Sequence, residues 1–453
     1  MKAFHLLLLI RVVAVDGLDN GVAALPRMGW SSFNFFGTTI DEKTVREMAD
    51  ALVANGLRDA GFTFLHLDNG ALNISRDAHG RLQENRTLFP SGLRSLSDYL
   101  HTRGLKLGVY TDIGNVSCGL IQPGSYGSYM TDAHTFAHDW QVDAIKVDFC
   151  DFYFIPEQLD LWRAFGHAFN STGRPMWLYT SPHSGGAASK VPATGVSAPW
   201  HDAHPYAPPL KWSRDTIRGL ANSMMFQYVN LFDYWYSEHW KGDGRSPPGG
   251  FLTNVDAMVQ LSTRAGQSVS GPGFYADAQQ LEVCNFGEAG RQGGGMTLEE
   301  YRSQYSIWAV FASPLVLSFD ARSIGRRHAD CLAMVKNRHV LEMAQDSLGA
   351  AGVLVHQATN LSSTEPASSA RTNNIVEQSW SRHLANGDVA LCLFNRGEGA
   401  RRMNVSWVVA GLPARKAGYH ARDLWTSKDL GVLVDGFDAT VPPHSVRLVR
   451  VSR

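Results

Sequence analysis

A chain of 453 residues, 44% hydrophobic and 11% aromatic, has enough apolar material for a large core in more than one domain, which excludes a disordered polypeptide. A formal net charge of −1 without any basic block excludes the electrostatic footprint of a nucleic-acid binder and suits uncharged partners. The N-terminal stretch MKAFHLLLLIRVVAVDG joins a basic residue, a short apolar run and small residues from Ala14 to Gly17. Residues 1–17 are read as a secretory signal peptide, although Arg11 interrupts the run. No other stretch approaches the ~20 apolar residues that span a bilayer, so no membrane partner is expected. Six Asn-X-Ser/Thr sequons, at Asn73, Asn85, Asn115, Asn170, Asn360 and Asn404, favour a secreted or lysosomal/vacuolar glycoprotein. The five cysteines lack zinc-ligand spacing, so no metal site is expected from them.

From residue 28 to about 345 the chain repeats a short apolar run, a polar tip and an amphipathic helix, the pattern of βα units on a parallel sheet. Strands are predicted near RMGWSSF, FTFLHLDNG, LKLGVYTDIG, VDAIKVDFC, PMWLYTSP, PLKWSRD, GQSVSGPGFY and PLVLSFDA. The first helix shows best: Val45, Met48, Ala49, Leu52 and Val53 form one stripe, with Asp41 as N-cap and Gly56 near its end. Further helices are predicted in TDAHTFAHDW, PEQLDLWRAFGHAF and TLEEYRSQYSIWAVFA. Eight such units over 18–347 predict an α/β fold, a (β/α)8 TIM barrel whose catalytic side chains come from the C-terminal ends of the strands. Asp68, Asp112, Asp148, Asp215, Asp277 and Asp320 lie at or just beyond predicted strand ends. One such aspartate is ordinarily a helix N-cap, but six on one rim suggest a site. The irregular stretch 183–209 is placed at that end, where long loops shape substrate access.

Past residue 347 the pattern changes to the short strands GVLVHQA, DVALCLFN, RRMNVSWVV, VLVDGF and SVRLVRV, with turns and no good helix. Residues 348–453 are therefore read as a C-terminal antiparallel β-sandwich domain, with 361–374 an exposed loop in it.

The segment DAIKVDFCDF puts charge into an apolar strand. Alternation sets Ile145, Val147 and Phe149 on one face and Lys146, Asp148 and Cys150 on the other. Ionised groups out of water are costly unless paired, so this face carries either a structural ion pair or a functional site.

Several segments resemble the α-galactosidase and α-N-acetylgalactosaminidase (melibiase) family of retaining glycoside hydrolases. These are RMGWSSFNFFG, HTRGLKLGVYTDIGNVSCG with PGSYG, DAHTFAHDWQVDAIKVDFC, GPGFYADAQQLEVCNFG, EEYRSQYSIWAVFASPLVLSFD and SVRLVRV. The likeness implies that Asp148 is the nucleophile, that Lys146 holds it ionised, and that Cys118 pairs with Cys150. It also implies an acid/base four residues after a sugar-binding arginine near the sixth strand. The best match is Asp215, four residues after Lys211 in LKWSRDTI, with the segment TIRGLANSMM as the following helix and Asp202 in WHDAH as the rival. A retaining mechanism needs two carboxyls roughly 5 to 5.5 Å apart, one ionised to attack and one protonated to donate.

Carried over residue by residue, the sugar-binding set is Trp30, Phe33, Asp68, Asn69, Tyr110, Lys146, Lys211, Asp277 and Gln279. Departures concentrate there. Phe33 stands for a tryptophan, Asn69 for an aspartate, Lys211 for the arginine, and Gln279 for the second aspartate of the seventh strand. Ser181 to His183 replace a segment that carries a glutamate. The resemblance implies no cofactor and a carbohydrate partner, a terminal α-D-galactoside first. Another glycone, such as α-N-acetylgalactosamine or β-L-arabinopyranose, and a glycan-binding pseudoenzyme are the alternatives. A serine hydrolase is weaker still, because GQSVSG lacks the glycine two residues after Ser268.

Overall fold

The structure, a computed structural model, describes residues 20–149, 158–181, 221–225, 234–235, 250–265, 270–288, 294–360 and 375–453. Among them, β1 (Met28–Ser31), β2 (Phe64–His66), β3 (Lys106–Asp112), β4 (Ala144–Asp148), β5 (Trp177–Ser181), β6 (Ser223–Met225), β7 (Tyr275–Asp277) and β8 (Leu315–Leu317) form one parallel sheet. Its order is β7-β6-β5-β4-β3-β2-β1-β8, so the last strand lies beside the first and the sheet curls as a TIM-like barrel.

Helices cover the outside of this sheet for the reason their sequences suggest. In Glu42–Ala54, Val45, Met48, Ala49 and Leu52 are fully buried against the strands, and Asp41 Oδ1 accepts the Thr44 amide at 2.8 Å as N-cap. Each large apolar side chain so buried is worth ~1.5–3 kcal/mol, and Asp41→Ala would cost ~1 kcal/mol through the lost cap. The helix Leu298–Val310 starts with a capping box between Thr297 and Glu300 and is buried on nearly every side. It is buried because the second domain covers what the barrel does not: Trp425 Nε1 donates to Ser306 Oγ at 3.0 Å, and Arg382 bonds the Ala309 carbonyl.

That second domain pairs a six-stranded antiparallel sheet with a two-stranded one. The larger comprises β9 (Val353–Thr359), β10 (Ile375–His383), β11 (Val389–Asn395), β13 (Tyr419–Asp423), β14 (Asp429–Leu433) and β16 (Val446–Ser452); the smaller comprises β12 (Arg401–Ser406) and β15 (Gly436–Val441). Strand β11 is apolar on both faces because both are covered. Val389, Leu391 and Leu393 enter the core between the two sheets, while Ala390, Cys392 and Phe394 join the core shared with the barrel.

Three sequence expectations need correction. The sixth strand of the described sheet is Ser223–Met225, at the end of a segment read as helix, whereas the stretch 209–215 expected there lies outside the described residues. The seventh is Tyr275–Asp277, where 266–275 was expected. In the second domain β10 and β13 were missed, and VLVDGF is divided between β14 and β15 by a turn.

Candidate active site

Strand β4 carries the site because its two faces meet different surroundings. Ile145, Val147 and Phe149 pack into the strand–helix core, whereas Ala144 belongs to the cluster inside the barrel with Trp177, Tyr179, Met225 and Tyr275. In register, Lys146 lies between Tyr110 of β3 and Tyr179 of β5, and Asp148 between Asp112 and Ser181. The Lys146 ammonium lies 2.7 Å from Asp68 Oδ2 and 3.7 Å from Asp148 Oδ2. The rings of Tyr110 and Phe33 approach it at 5.2 and 5.5 Å from their centroids. Burial alone would lower the lysine's pKa, but attraction to Asp148 and Asp68 outweighs it, so the ammonium stays charged.

The loops beyond β2 and β3 hold this triad in place. The Asp68 amide donates to Ser32 Oγ at 3.1 Å, and Asp68 Oδ1 accepts the Asn69 amide at 2.8 Å. Asn69 Nδ2 donates to the Cys118 carbonyl at 2.6 Å. Buried Gln122 accepts the Gly70 amide at 2.9 Å and donates to the Tyr110 carbonyl at 3.2 Å. Gly70 has φ +113°, and a Cβ there would lie 2.3 Å from the Thr38 carbonyl oxygen, so only glycine fits. Cys118 Sγ lies 3.5 Å from Asp148 Oδ2. Cys118 is disulfide-bonded; its expected partner Cys150 lies outside the described residues.

On the far side, Asp277 ends β7 with Oδ1 accepting the Gln279 amide at 2.8 Å. Burial pushes the Asp277 carboxyl up to about 6, while Arg27, the Gln279 amide and Lys146 pull it down. Gln279 is held at φ +79°, a conformation costly for any residue but glycine, and its carbonyl accepts Trp308 Nε1 at 2.7 Å.

The sequence-derived set therefore divides. Phe33, Asp68, Tyr110, Lys146 and Asp148 cluster around one ammonium; Asn69 braces their loop; Asp277 feels the Lys146 charge from β7, three strands away. Trp30 does not belong with them. Gly29 and Ser31 hold the inner positions of β1, and Trp30 is fully buried in the strand–helix core with its Nε1 on the Phe319 carbonyl at 2.7 Å. Two of the six rim aspartates have local duties: Asp112 Oδ1 accepts the Gly114 amide at 2.7 Å, and Asp320 caps the helix Ala321–Arg327 while pairing with Arg322. Lys211, Asp215 and Asp202 lie outside the described residues. Because β6 begins at Ser223, Asp215 precedes the sixth strand and does not stand at its end.

Sequence reasoning missed three inner-face residues that alternation alone would have found, Arg27, His66 and Tyr179. The Arg27 guanidinium lies 4.0 Å from the centre of the Tyr179 ring, and His66 meets the same ring edge-on at 5.1 Å. Burial, with Arg27 and Lys146 nearby, holds His66 well below the usual histidine range and hence neutral.

Comparison with known proteins agrees with this fold. The model of the family described as alpha galactosidase A matches residues 26–191 and 252–346, and that of the alpha galactosidase C-terminal beta sandwich domain matches residues 377–451. The chain belongs to the melibiase (α-galactosidase) family of glycoside hydrolases. An alpha-galactosidase of Cyamopsis tetragonoloba is 31% identical over 432 residues, covering 95% of this chain and 87% of that protein. The alpha-N-acetylgalactosaminidase of Homo sapiens is 32% identical over 374 residues, covering 78% and 77%. The crystal structure of alpha-galactosidase I from Mortierella vinacea superposes with a TM-score of 0.76 at 26% identity, covering 96% of this chain and 98% of that one. Residues 192–251, which hold Lys211, Asp215 and Asp202, fall between the two matched stretches of the catalytic family model.

Proposed function

We propose that this protein is a retaining α-glycosidase that removes terminal α-D-galactosyl groups by double displacement. The observation that carries the reading is Asp148, held at a strand end inside the barrel with a paired ammonium 3.7 Å away. A cation at that distance keeps a buried carboxylate ionised and able to attack an anomeric carbon. Asp68, on the other side of the ammonium, turns a carboxylate toward the same space and is suited to accept hydrogen bonds from sugar hydroxyls. Relatives named as alpha-galactosidases along nearly the whole chain support the galactoside as first substrate.

The proton donor is assigned by resemblance to Asp215, with Asp202 as rival. The position of β6 adds a third carboxylate, because residues 226–233, which leave its C-terminal end, contain Asp233 alone. Asp148→Gly should abolish turnover of nitrophenyl α-galactoside and be rescued in part by azide, yielding the inverted glycosyl azide; near-wild-type activity would remove Asp148 from the mechanism. Alanine variants at Asp215, Asp202 and Asp233 separate the donors: the true one loses far more on poor leaving groups than on activated ones. If none of the three shows that pattern, the glycan-binding reading gains.

Contacts on the O4 side of the glycone, from Asp68 and Lys146, are better kept than those on the C2 side, where Lys211, Gln279 and Ser181 to His183 differ from the family pattern. Sites that hydrogen-bond a hydroxyl discriminate steeply, so lost partners weaken selection. The enzyme should prefer galactoside over glucoside yet tolerate 2-deoxy and 2-acetamido substrates, read as kcat/KM on the four nitrophenyl glycosides. A secretory route is part of the proposal. It is supported by the six sequons, by exposure of Asn170 and Asn404, and by the Cys284–Cys331 disulfide.

A further inference from the structure

The loop between β3 and β4 carries an expense that the chemistry described so far does not use. Leu120 is half exposed, and its backbone is held at φ +59°, the left-handed region that costs a branched side chain free energy. Gly119 beside it has φ +73°. The tip is nonetheless firmly built. The Ser117 amide donates to the Gln122 carbonyl at 3.0 Å, the Gln122 amide donates back to Ser117 Oγ at 3.1 Å, and the Leu120 amide donates to the Ser117 carbonyl at 2.9 Å. Val116 and Pro123 close the base as an isolated bridge.

This tip is wired into the active site at both feet. Cys118 is the residue whose Sγ lies 3.5 Å from Asp148 Oδ2, and Gln122 is the residue that fixes Gly70 and Tyr110. Leu120 is two Cα steps, each 3.8 Å, from Cys118, whose side chain reaches about 3 Å further to its Sγ, which puts the Leu120 backbone within about 14 Å of the nucleophile. A galactosyl unit seated on Asp148 leaves its departing group in that range. The neighbouring loop, tied to this one through Arg76 Nη2 on the Gly124 carbonyl at 2.6 Å, exposes Ile74 at 71%. Two exposed aliphatic side chains thus stand on the two loops that frame the triad.

We infer that Leu120, held in a strained conformation at the rim, is a specificity residue for the leaving group and selects galactosides whose aglycone presents an apolar aryl or alkyl surface. The inference rests on the galactosidase reading above. A polar sugar aglycone gains nothing from an aliphatic contact, whereas covering half a leucine with an apolar group is worth about tenfold in kcat/KM.

The test exploits the backbone. Asn tolerates left-handed φ and Gly adopts it freely, so Leu120→Asn and Leu120→Gly remove the aliphatic contact without a folding penalty, and unchanged thermal unfolding would confirm it. With octyl, nitrophenyl and methyl α-galactosides and melibiose as substrates, both variants should lose about tenfold in kcat/KM on the octyl and nitrophenyl compounds and stay within twofold on methyl galactoside and melibiose. Equal losses on all four, or none on any, would overturn the role. If the wild-type protein turns over none of them, the galactosidase reading fails. Binding of octyl against methyl α-galactoside, by calorimetry on wild type and Leu120→Asn, then decides the apolar rim: a shared octyl preference, or none in wild type, refutes it.

Discussion

His444 of the C-terminal domain places Nδ1 2.7 Å from Oε1 of Glu300 on the barrel's Leu298–Val310 helix. The imidazole also stacks on Trp235 at 4.5 Å and has Glu398 Oε1 3.4 Å from Nε2. Burial alone would lower its pKa, but the hydrogen bond to Glu300 and the charge of Glu398 raise it above the ordinary 6.5. Burial likewise opposes ionisation of Glu300, yet its bonds to His444 and Thr297 hold it below the ordinary 4.5.

A raised histidine stabilises the fold fully below about 6.5 and loses that contribution as pH rises through its folded value; a lowered carboxylate loses its own as pH falls below about 4.5. The contribution of this pair should therefore peak between them and decline toward pH 8. His444→Gln should lower Tm by about 2–4 °C at pH 6 and by little at pH 8, measured by calorimetry across that range. A constant deficit at every pH would refute the ionic lock.

Removing Lys146 tests the triad from the other side. Lys146→Met leaves Asp68 and Asp148 buried without their counter-ion, which should cost ~3–5 kcal/mol in urea unfolding and nearly all kcat. Asp68→Asn should then cost less in the Lys146→Met background than in the wild type, because the two changes share one interaction. Additive losses would show that the pair is not coupled.

Asp277 has the opposite sign from most carboxylates. With a folded value of about 6 against an ordinary 3.8, the native state binds more protons than the unfolded chain between those limits, so this residue lowers stability as pH rises through them. The deficit above pH 6 is about 3 kcal/mol at 1.36 kcal/mol per unit. Asp277→Asn keeps an oxygen for the Gln279 amide and should match the wild type near pH 4 while exceeding it at pH 7. The acid limb of kcat/KM near pH 6 should vanish in the same variant; an unchanged profile would separate Asp277 from substrate binding.

The disulfide from Cys284 to Cys331 spans 47 residues and ties the segment after β7 to the helix Ala329–Val335. Closing a loop of that size is worth ~4 kcal/mol in the chain-entropy model. Both sulfurs belong to buried residues, so reductant should not reach them in the folded protein. The double alanine variant should lose most of that stability, whereas native protein held in reductant well below Tm should keep the bond.

What the sequence revealed depended on the length of its signals. Asp41 and the stripe from Val45 to Leu52 lie within four turns of one helix, so the period shows. Lys146 and Asp148 stood out because two charges interrupt an apolar strand, and the resemblance supplied their partner Asp68. Strand β6 is three residues long, too short to display a period of two, and it lies within a segment that the resemblance assigns to a helix. Trp30 entered the sugar-binding set through the resemblance, although alternation with Gly29 and Ser31 turns it outward into the strand–helix core. Glu300 and His444 are 144 residues apart, and no local pattern links them.

Barrel closure sets a timetable for biosynthesis. Met28 finds its ladder partner in Leu315, a residue the ribosome adds 287 positions later. At about 5–20 residues per second, β1 waits roughly 15 to 60 s with one edge unsatisfied, while the strands that follow it are already competent to pair. Throughout that interval the nascent chain displays a row of open backbone groups beside apolar side chains, the kind of edge that recruits other nascent chains. Recombinant yield should therefore respond more to slowed translation and added holdase chaperones than to substitutions in the finished molecule.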